Sequence, residues 1–69
     1  MFNKNRFRAQ LVLIGKTMRW LAEQLDIDES TLYRKVNSDG NFSREEINKM
    51  IIIMQIEDPM EIFFAPELA

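Results

Sequence analysis

The chain has 69 residues, enough for one small domain and too few for a second hydrophobic core, so we expect a single domain over residues 1 to 69. Hydrophobic residues make up 46% and charged residues 29%, a composition typical of a globular fold and not of disorder. Cysteine and histidine are both absent, which excludes disulfides, thiolate nucleophiles, zinc sites and imidazole acid/base chemistry. We therefore expect no cofactor, no metal and no enzymatic activity.

Charge is unevenly distributed, although the net charge is only −2. The first 20 residues contain Lys4, Arg6, Arg8, Lys16 and Arg19 and no acid, whereas acids outnumber bases in the last third. This asymmetry predicts one face for phosphates and another for solvent or a partner. The longest apolar run, residues 50 to 54, is too short to cross a bilayer, and no signal-peptide core follows the basic N-terminus. We expect a cytoplasmic protein with no membrane partner.

Apolar residues in the first 25 positions recur at helical spacing. The first helix is predicted over residues 4 to 14 and ends at Gly15, a typical C-cap residue. The second is predicted over residues 18 to 25, with Thr17 as its N-cap. The residues predicted to face the core are Phe7, Leu11, Ile14, Met18, Leu21, Ala22 and Leu25.

Three further helices are predicted from start signals. Asp28 is a candidate N-cap for a helix over residues 29 to 36, in which Leu32 and Val36 lie one turn apart. Ser43 and Glu46 have the spacing of a capping box, which predicts a helix over residues 44 to 54. A last short helix would begin at Pro59, after Asp58 as the cap, and bury Ile62 with Phe63 or Phe64. The sequence contains no predicted strand, so the fold class is all-α.

The second and third helices, joined by a short turn, have the spacing of a helix-turn-helix over residues 17 to 37. Ala22 permits a close helix crossing, and Ile27 in the turn is apolar, which a generic helix pair does not require. Through TMRWLAEQLDIDESTLYRKVN the chain resembles the lambda repressor and Cro family of phage and bacterial regulators. The resemblance extends through FSREEINKM and DPMEIFF and implies a compact five-helix lambda-repressor-like domain.

The resemblance also implies a function, namely that of a sequence-specific DNA-binding transcription regulator of the Cro type. Such a protein acts as a repressor or activator by occupying an operator in double-stranded DNA, usually as a homodimer. Three positions depart from the family pattern. Met18 stands where the family usually has glutamine, Asp26 stands where it has glycine, and the third helix begins with the acids Asp28 and Glu29. Aspartate tolerates the left-handed conformation of such a turn at modest cost.

A helical wheel that turns Leu32 and Val36 inward places the remaining side chains of the third helix outward or on its flanks. By the resemblance, the candidates for base recognition are Glu29, Ser30, Tyr33 and Arg34. The candidates for phosphate contact are Arg6, Arg8, Thr17, Arg19, Thr31 and Asn37. Apolar residues outside the core stripe, which predict a dimer or partner interface, are Ile52, Ile53, Phe63 and Phe64.

The acids at the start of the third helix, Asp28 and Glu29, leave a second interpretation of the function open. Asp28 is explained locally as a cap, and Glu29 could accept a hydrogen bond from a cytosine amino group. Alternatively, the chain is a protein-binding antirepressor that keeps the fold and engages another phage regulator through its apolar and acidic surfaces. Trp20, which lies opposite the core stripe of its helix, either covers the edge of the core or the tail at residues 65 to 68, or contacts a partner.

Overall fold

The computed structural model describes residues 1–65 as five α-helices, and this part of the chain contains no strand. The predicted all-α class is therefore confirmed. The helices are α1 (Lys4–Leu13), α2 (Met18–Leu25), α3 (Glu29–Asn37), α4 (Arg44–Ile53) and α5 (Pro59–Phe63). The first four agree with their predicted ranges to within one residue at either end, and α5 begins at Pro59 as predicted. The radius of gyration is 11.2 Å, close to the roughly 11 Å expected of a compact chain of this length.

Side chains cap most of the helix starts. The Thr17 hydroxyl accepts a hydrogen bond from the Trp20 backbone N–H at 3.1 Å, as predicted for α2. Ser43 and Glu46 form the predicted capping box at α4. Asn3, which the sequence analysis did not identify, caps α1 by accepting from the Arg6 N–H at 3.0 Å. These bonds satisfy donors that have no partner within the helix.

Two predicted caps need correction. Asp28 and Asp58 occupy the N-cap positions of α3 and α5, but neither side chain accepts a capping hydrogen bond. Capping requires the carboxylate to turn back toward the first helical turn, and neither side chain makes that contact. Pro59 does occupy the first turn of α5, as predicted.

The turn between α2 and α3 has a left-handed residue, as the sequence predicted. Asp26 has φ 57° and ψ 44°, and its N–H bonds back to the end of α2. The Ile27 N–H donates to the Ala22 carbonyl at 3.0 Å, and the Ile27 side chain is partly buried against the core. These contacts fix the direction in which α3 leaves the turn, and α2 and α3 pack against each other.

One buried apolar cluster joins all five helices. Phe7, Leu21, Leu32, Met50 and Met54 are fully buried within it. The N-terminal segment belongs to the same cluster, since Phe2 is buried and stacks within 6.0 Å of three aromatic rings. Phe2 precedes the first predicted helix, so helical periodicity could not place it in the core.

The first and last described segments are tied together. The Asn3 N–H donates to the Ile62 carbonyl at 2.7 Å, and the amino group of Met1 donates to the Ala65 carbonyl at 3.0 Å. Helices α1 and α5 pack against each other beside these bonds. The N-terminal segment therefore fixes α5 on the side of the molecule formed by α1.

Candidate nucleic-acid interface

Helix α3 has one buried side and one exposed side. Leu32 and Val36 are buried in the core, which turns the intervening positions toward solvent. Thr31 is partly buried on the flank. The exposed residues are Glu29, Ser30, Tyr33, Arg34 and Asn37. The predicted orientation of α3 is confirmed, although its contact with nucleic acid stays a prediction.

Arg34 is the central cation of this surface. Its guanidinium forms no ion pair with any residue in the part of the chain that the structure describes. The neighbouring Lys35, which was not assigned a role from the sequence, bonds to the Glu46 carboxylate at 3.2 Å. Lys35 therefore anchors α3 to α4, while the charge of Arg34 is available to a ligand. Both residues line a shallow depression of about 250 Å³ with Ser38 and Asn41.

Helix α1 extends this basic surface. The Lys4 ammonium lies 3.3 Å from the side-chain oxygen of Asn37, at the end of α3. Arg8 is exposed one helical turn further along α1 and therefore on the same face as Lys4. The structure thus brings Lys4 together with Asn37 and places Arg8 on the adjoining face.

Arg6 is separated from this surface. It lies two residues from both Lys4 and Arg8, or about 200° around the helix. Its guanidinium pairs with the Glu61 carboxylate of α5 at 2.9 Å. Arg6 therefore points to a different side of α1 from Lys4 and Arg8, and the phosphate contact predicted for Arg6 stays a prediction.

At the start of α2 the two predicted phosphate contacts have different surroundings. Thr17 is exposed, and its hydroxyl accepts the capping hydrogen bond, which leaves its own hydrogen available for donation. Arg19 lies 3.6 Å from Glu23 one turn along, and both side chains are largely exposed. Exposed pairs of this kind are weak, so Arg19 can exchange Glu23 for a phosphate.

Trp20 and Met18 are partly buried against the core. The ammonium of Lys16 lies 5.3 Å from the centre of the Trp20 ring, within the range of a cation–π contact. The interpretation of Trp20 as a cover for the edge of the core is thus confirmed. The alternative that Trp20 covers the tail at residues 65 to 68 concerns a segment of which only Ala65 belongs to the described part of the chain.

An acidic surface adjoins the start of α3. Glu23, Asp26 and Asp28 line a depression of about 550 Å³ together with Ile27 and Thr31. Because Asp28 accepts no capping bond, its charge is not used there, and Glu29 follows it on the exposed side of α3. Any anionic ligand of α3 must therefore approach from the Arg34 end of the helix or place a hydrogen-bond donor at Glu29.

The four predicted interface residues differ in exposure. Ile52 and Phe64 are 75% and 51% exposed, and Ile53 is partly buried against the core. Phe63 is only 6% exposed and belongs to the core, so its assignment to an interface is corrected. The five-residue helix α5 can turn only one of two adjacent phenylalanines inward, and Phe63 takes the inner position.

Comparison of the chain with protein-family models, curated proteins and solved structures found no match. The family resemblance and the helix-turn-helix over residues 17 to 37 stay predictions. None of the helices within residues 1–65 is both long enough and apolar enough to span a membrane.

Proposed function

We propose that this protein is a sequence-specific, double-stranded-DNA-binding transcription regulator that acts by operator occupancy, with α3 as the helix that reads DNA. The observation that carries the proposal is the exposed polar side of α3, with Arg34 unpaired among the described residues and Leu32 and Val36 anchoring the helix from behind. A helix held in this way offers one complete row of side chains to a groove about 12 Å wide.

The side chains of α3 suit base recognition. Arginine forms paired hydrogen bonds with guanine, and Ser30 can donate to or accept from a base edge. Tyr33 is 40% exposed and offers both a ring for a thymine methyl group and a hydroxyl. Glu29 is restricted to acceptance, and the cytosine amino group is the base-edge donor that fits it.

Phosphate contacts are proposed on either side of α3. Lys4 and Arg8 lie on the adjoining face of α1, and Asn37 joins the two helices. Thr17 and Arg19 at the start of α2 are the second set, in keeping with helix-turn-helix docking, in which the first helix of the motif crosses the DNA backbone. Because the net charge is −2, we expect weak non-specific binding and a larger share of affinity from base contacts.

A homodimer is part of the proposal. One small domain buries too little surface against DNA for high affinity. A dimer binds two half-sites of an operator at once, which multiplies the affinity of a single domain. The exposed Ile52 on α4 and Phe64 after α5 are the apolar residues proposed to contact the second copy.

Selection of binding sequences from random DNA by gel shift with the purified protein tests the proposal. We expect one enriched motif, and we expect Arg34→Ala to weaken binding by roughly 1–3 kcal/mol and relax the preference at one base pair. Arg6→Ala is the matched control, since it also removes one arginine but from the side of α1 that pairs with Glu61. Equal losses for both variants, or no enriched motif at low salt, would contradict DNA reading by α3.

The protein-binding antirepressor is the second candidate, favoured by the acidic depression formed by Glu23, Asp26 and Asp28 next to α3. Carboxylates there repel phosphates but suit a basic protein surface. The selection experiment separates the two, because an antirepressor would retain no DNA sequence in preference to another.

A further inference from the structure

A groove of about 640 Å³ lies on the side of the molecule where Arg6 is found, between α1 and the chain that connects α4 to α5. Its apolar lining includes Leu13 and Ile14 from α1, Ile56 from the connection and Ile62 from α5. Leu13 is 77% exposed, although it sits beside buried apolar residues. Leu13 is therefore a large aliphatic side chain that is exposed to water in the lining of the groove.

The groove is preformed. The side-chain amide of Gln10 donates to the Met54 carbonyl at 2.7 Å and to the Gln55 carbonyl at 3.2 Å. These two bonds hold the middle of α1 against the end of α4. At the other end, the ion pair of Arg6 with Glu61 joins α1 to α5. The two bonds of Gln10 thus hold this part of the groove in place before any ligand arrives, which lowers the entropic cost of binding.

The rim of the groove is acidic. Glu57, Asp58 and Glu61 all line it, and Arg6 is the cation among the lining residues. Arg6 already pairs with Glu61, whereas the Glu57 and Asp58 carboxylates form no ion pair within residues 1–65. The Asp58 side chain is also not used as a helix cap. Two carboxylates beside an exposed leucine are therefore left without an intramolecular partner.

We propose that this groove is a docking surface for a cationic amphipathic segment of another protein. Leucine or isoleucine side chains of the segment would cover Leu13 and the partly exposed Ile14, and its lysine or arginine side chains would pair with Glu57 and Asp58. Nucleic acid does not fit this surface, because its phosphates would be repelled by the same carboxylates. The combination of an apolar floor and a charged rim is the usual anatomy of a helix-binding groove.

The groove and the proposed DNA-reading surface occupy different sides of α1. Lys4 and Arg8 share the face that adjoins α3, whereas Arg6 and Leu13 line the groove. The docking proposal therefore goes beyond DNA binding and does not depend on it. The same chain could therefore bind an operator through α3 and a partner protein through the groove at the same time.

Titration of the ¹⁵N-labelled protein with a synthetic helix-forming peptide built only from Leu and Lys tests this proposal by NMR. We expect the largest shift changes at the amides of Leu13, Ile56 and Glu57. A peptide with Glu in place of every Lys should bind at least tenfold more weakly, because like charges would meet at the rim. Equal binding of both peptides, or shift changes confined to other surfaces, would overturn the proposal.

Paired variants separate the groove from general attraction between an acidic protein and a basic peptide. Glu57→Gln with Asp58→Asn should weaken peptide binding by roughly threefold to tenfold, the expected loss of two exposed ion pairs. The matched control is Glu45→Gln with Asp39→Asn, which removes the same charge from two exposed positions outside the groove and should leave binding unchanged. Equal losses in the two double variants would contradict the groove as the docking site.

A last variant tests the apolar floor. Leu13→Ser removes an exposed apolar side chain. The variant should keep the fold and bind the Leu/Lys peptide more weakly. Val12→Ser is its control, since Val12 has nearly the same exposure at 78% but does not line the groove. If sedimentation shows that the protein self-associates through Leu13 and that the peptide cannot displace the second copy, the occupant is this chain itself and the proposal is wrong.

Discussion

Lys35 of α3 and Glu46 of α4 are joined by an ion pair of 3.2 Å whose carboxylate oxygen also accepts the Ser43 N–H at 2.8 Å. One oxygen therefore completes the capping box of α4 and holds α3 against it. The Glu46 side chain is only 18% exposed, so water competes poorly for it. Because Arg34 precedes Lys35 in α3, this contact also helps to determine the side of the molecule on which Arg34 lies.

The first prediction concerns acid stability. Burial raises the pKa of Glu46, but the hydrogen bond from the Ser43 backbone and the bond and charge of Lys35 outweigh it, so the pKa lies below the usual value of 4.5. A lowered pKa in the folded state stabilises the fold above the unfolded-state pKa, and this contribution is lost as the pH falls through the folded-state pKa. Glu46→Gln should lower the free energy of unfolding at neutral pH. The free energy of unfolding of this variant should also fall less than that of the wild type as the pH is lowered.

Thermal denaturation across the acid range measures this effect. Glu45→Gln is the control, because Glu45 is an exposed acid in the same helical turn without the Lys35 contact. If wild type and Glu46→Gln lose stability in parallel as the pH falls, Glu46 is not the group responsible.

The second prediction concerns Gly40, which lies in the loop between α3 and α4 with φ +69°. A Cβ at this position would overlap the ring of Phe2. Gly40→Ala should therefore lower the free energy of unfolding by about 2–4 kcal/mol, from backbone strain and overpacking together. Gly15→Ala is the matched control, since Gly15 has the same φ and no atom within 4 Å of the added carbon. Chemical denaturation should give a loss of only about 1 kcal/mol for that variant, and equal losses would contradict the contact with Phe2.

The third prediction concerns Asp26, the left-handed residue between α2 and α3. Glycine adopts this conformation without steric cost, so Asp26→Gly should raise the free energy of unfolding by about 1 kcal/mol. Asp26→Ala removes the same charge but keeps the Cβ and should not stabilise the protein. A gain of equal size in both variants would show that the acidic charge, and not the backbone conformation, limits stability here.

Features that depend on neighbouring residues could be predicted from the sequence. The capping box of Ser43 and Glu46 formed because both partners lie within one turn of the same helix. Leu32 and Val36 were placed correctly in the core because helical periodicity determines which side of α3 they share. Asp28 was placed correctly at the N-cap, but the direction of its side chain is a rotamer choice that the position alone does not determine.

Contacts between distant segments could not be predicted. The pairing of Arg6 with Glu61 requires α5 to lie beside α1, and local patterns carry no information about that packing. The groove acids Glu57 and Asp58 were seen as part of an acidic C-terminal third, but their position beside Leu13 depends on the same packing. For Phe63 and Phe64, a helix of five residues is too short for periodicity to indicate which residue is buried.

The last prediction separates DNA recognition from protein binding at the start of α3. Glu29→Gln keeps the length and hydrogen-bonding reach of the side chain and removes its charge, and Glu29 is exposed beside Ser30. If Glu29 accepts from cytosine, the variant should relax the preference at one base pair and leave non-specific affinity equal or higher, because a repulsion from phosphates is removed. Arg34→Ala should weaken binding in the same gel-shift series, and Asp28→Asn should not change the sequence preference. If Glu29→Gln weakens only a protein complex, and the wild type shows no sequence preference even at low salt, the acids at α3 belong to an antirepressor surface and operator binding is excluded.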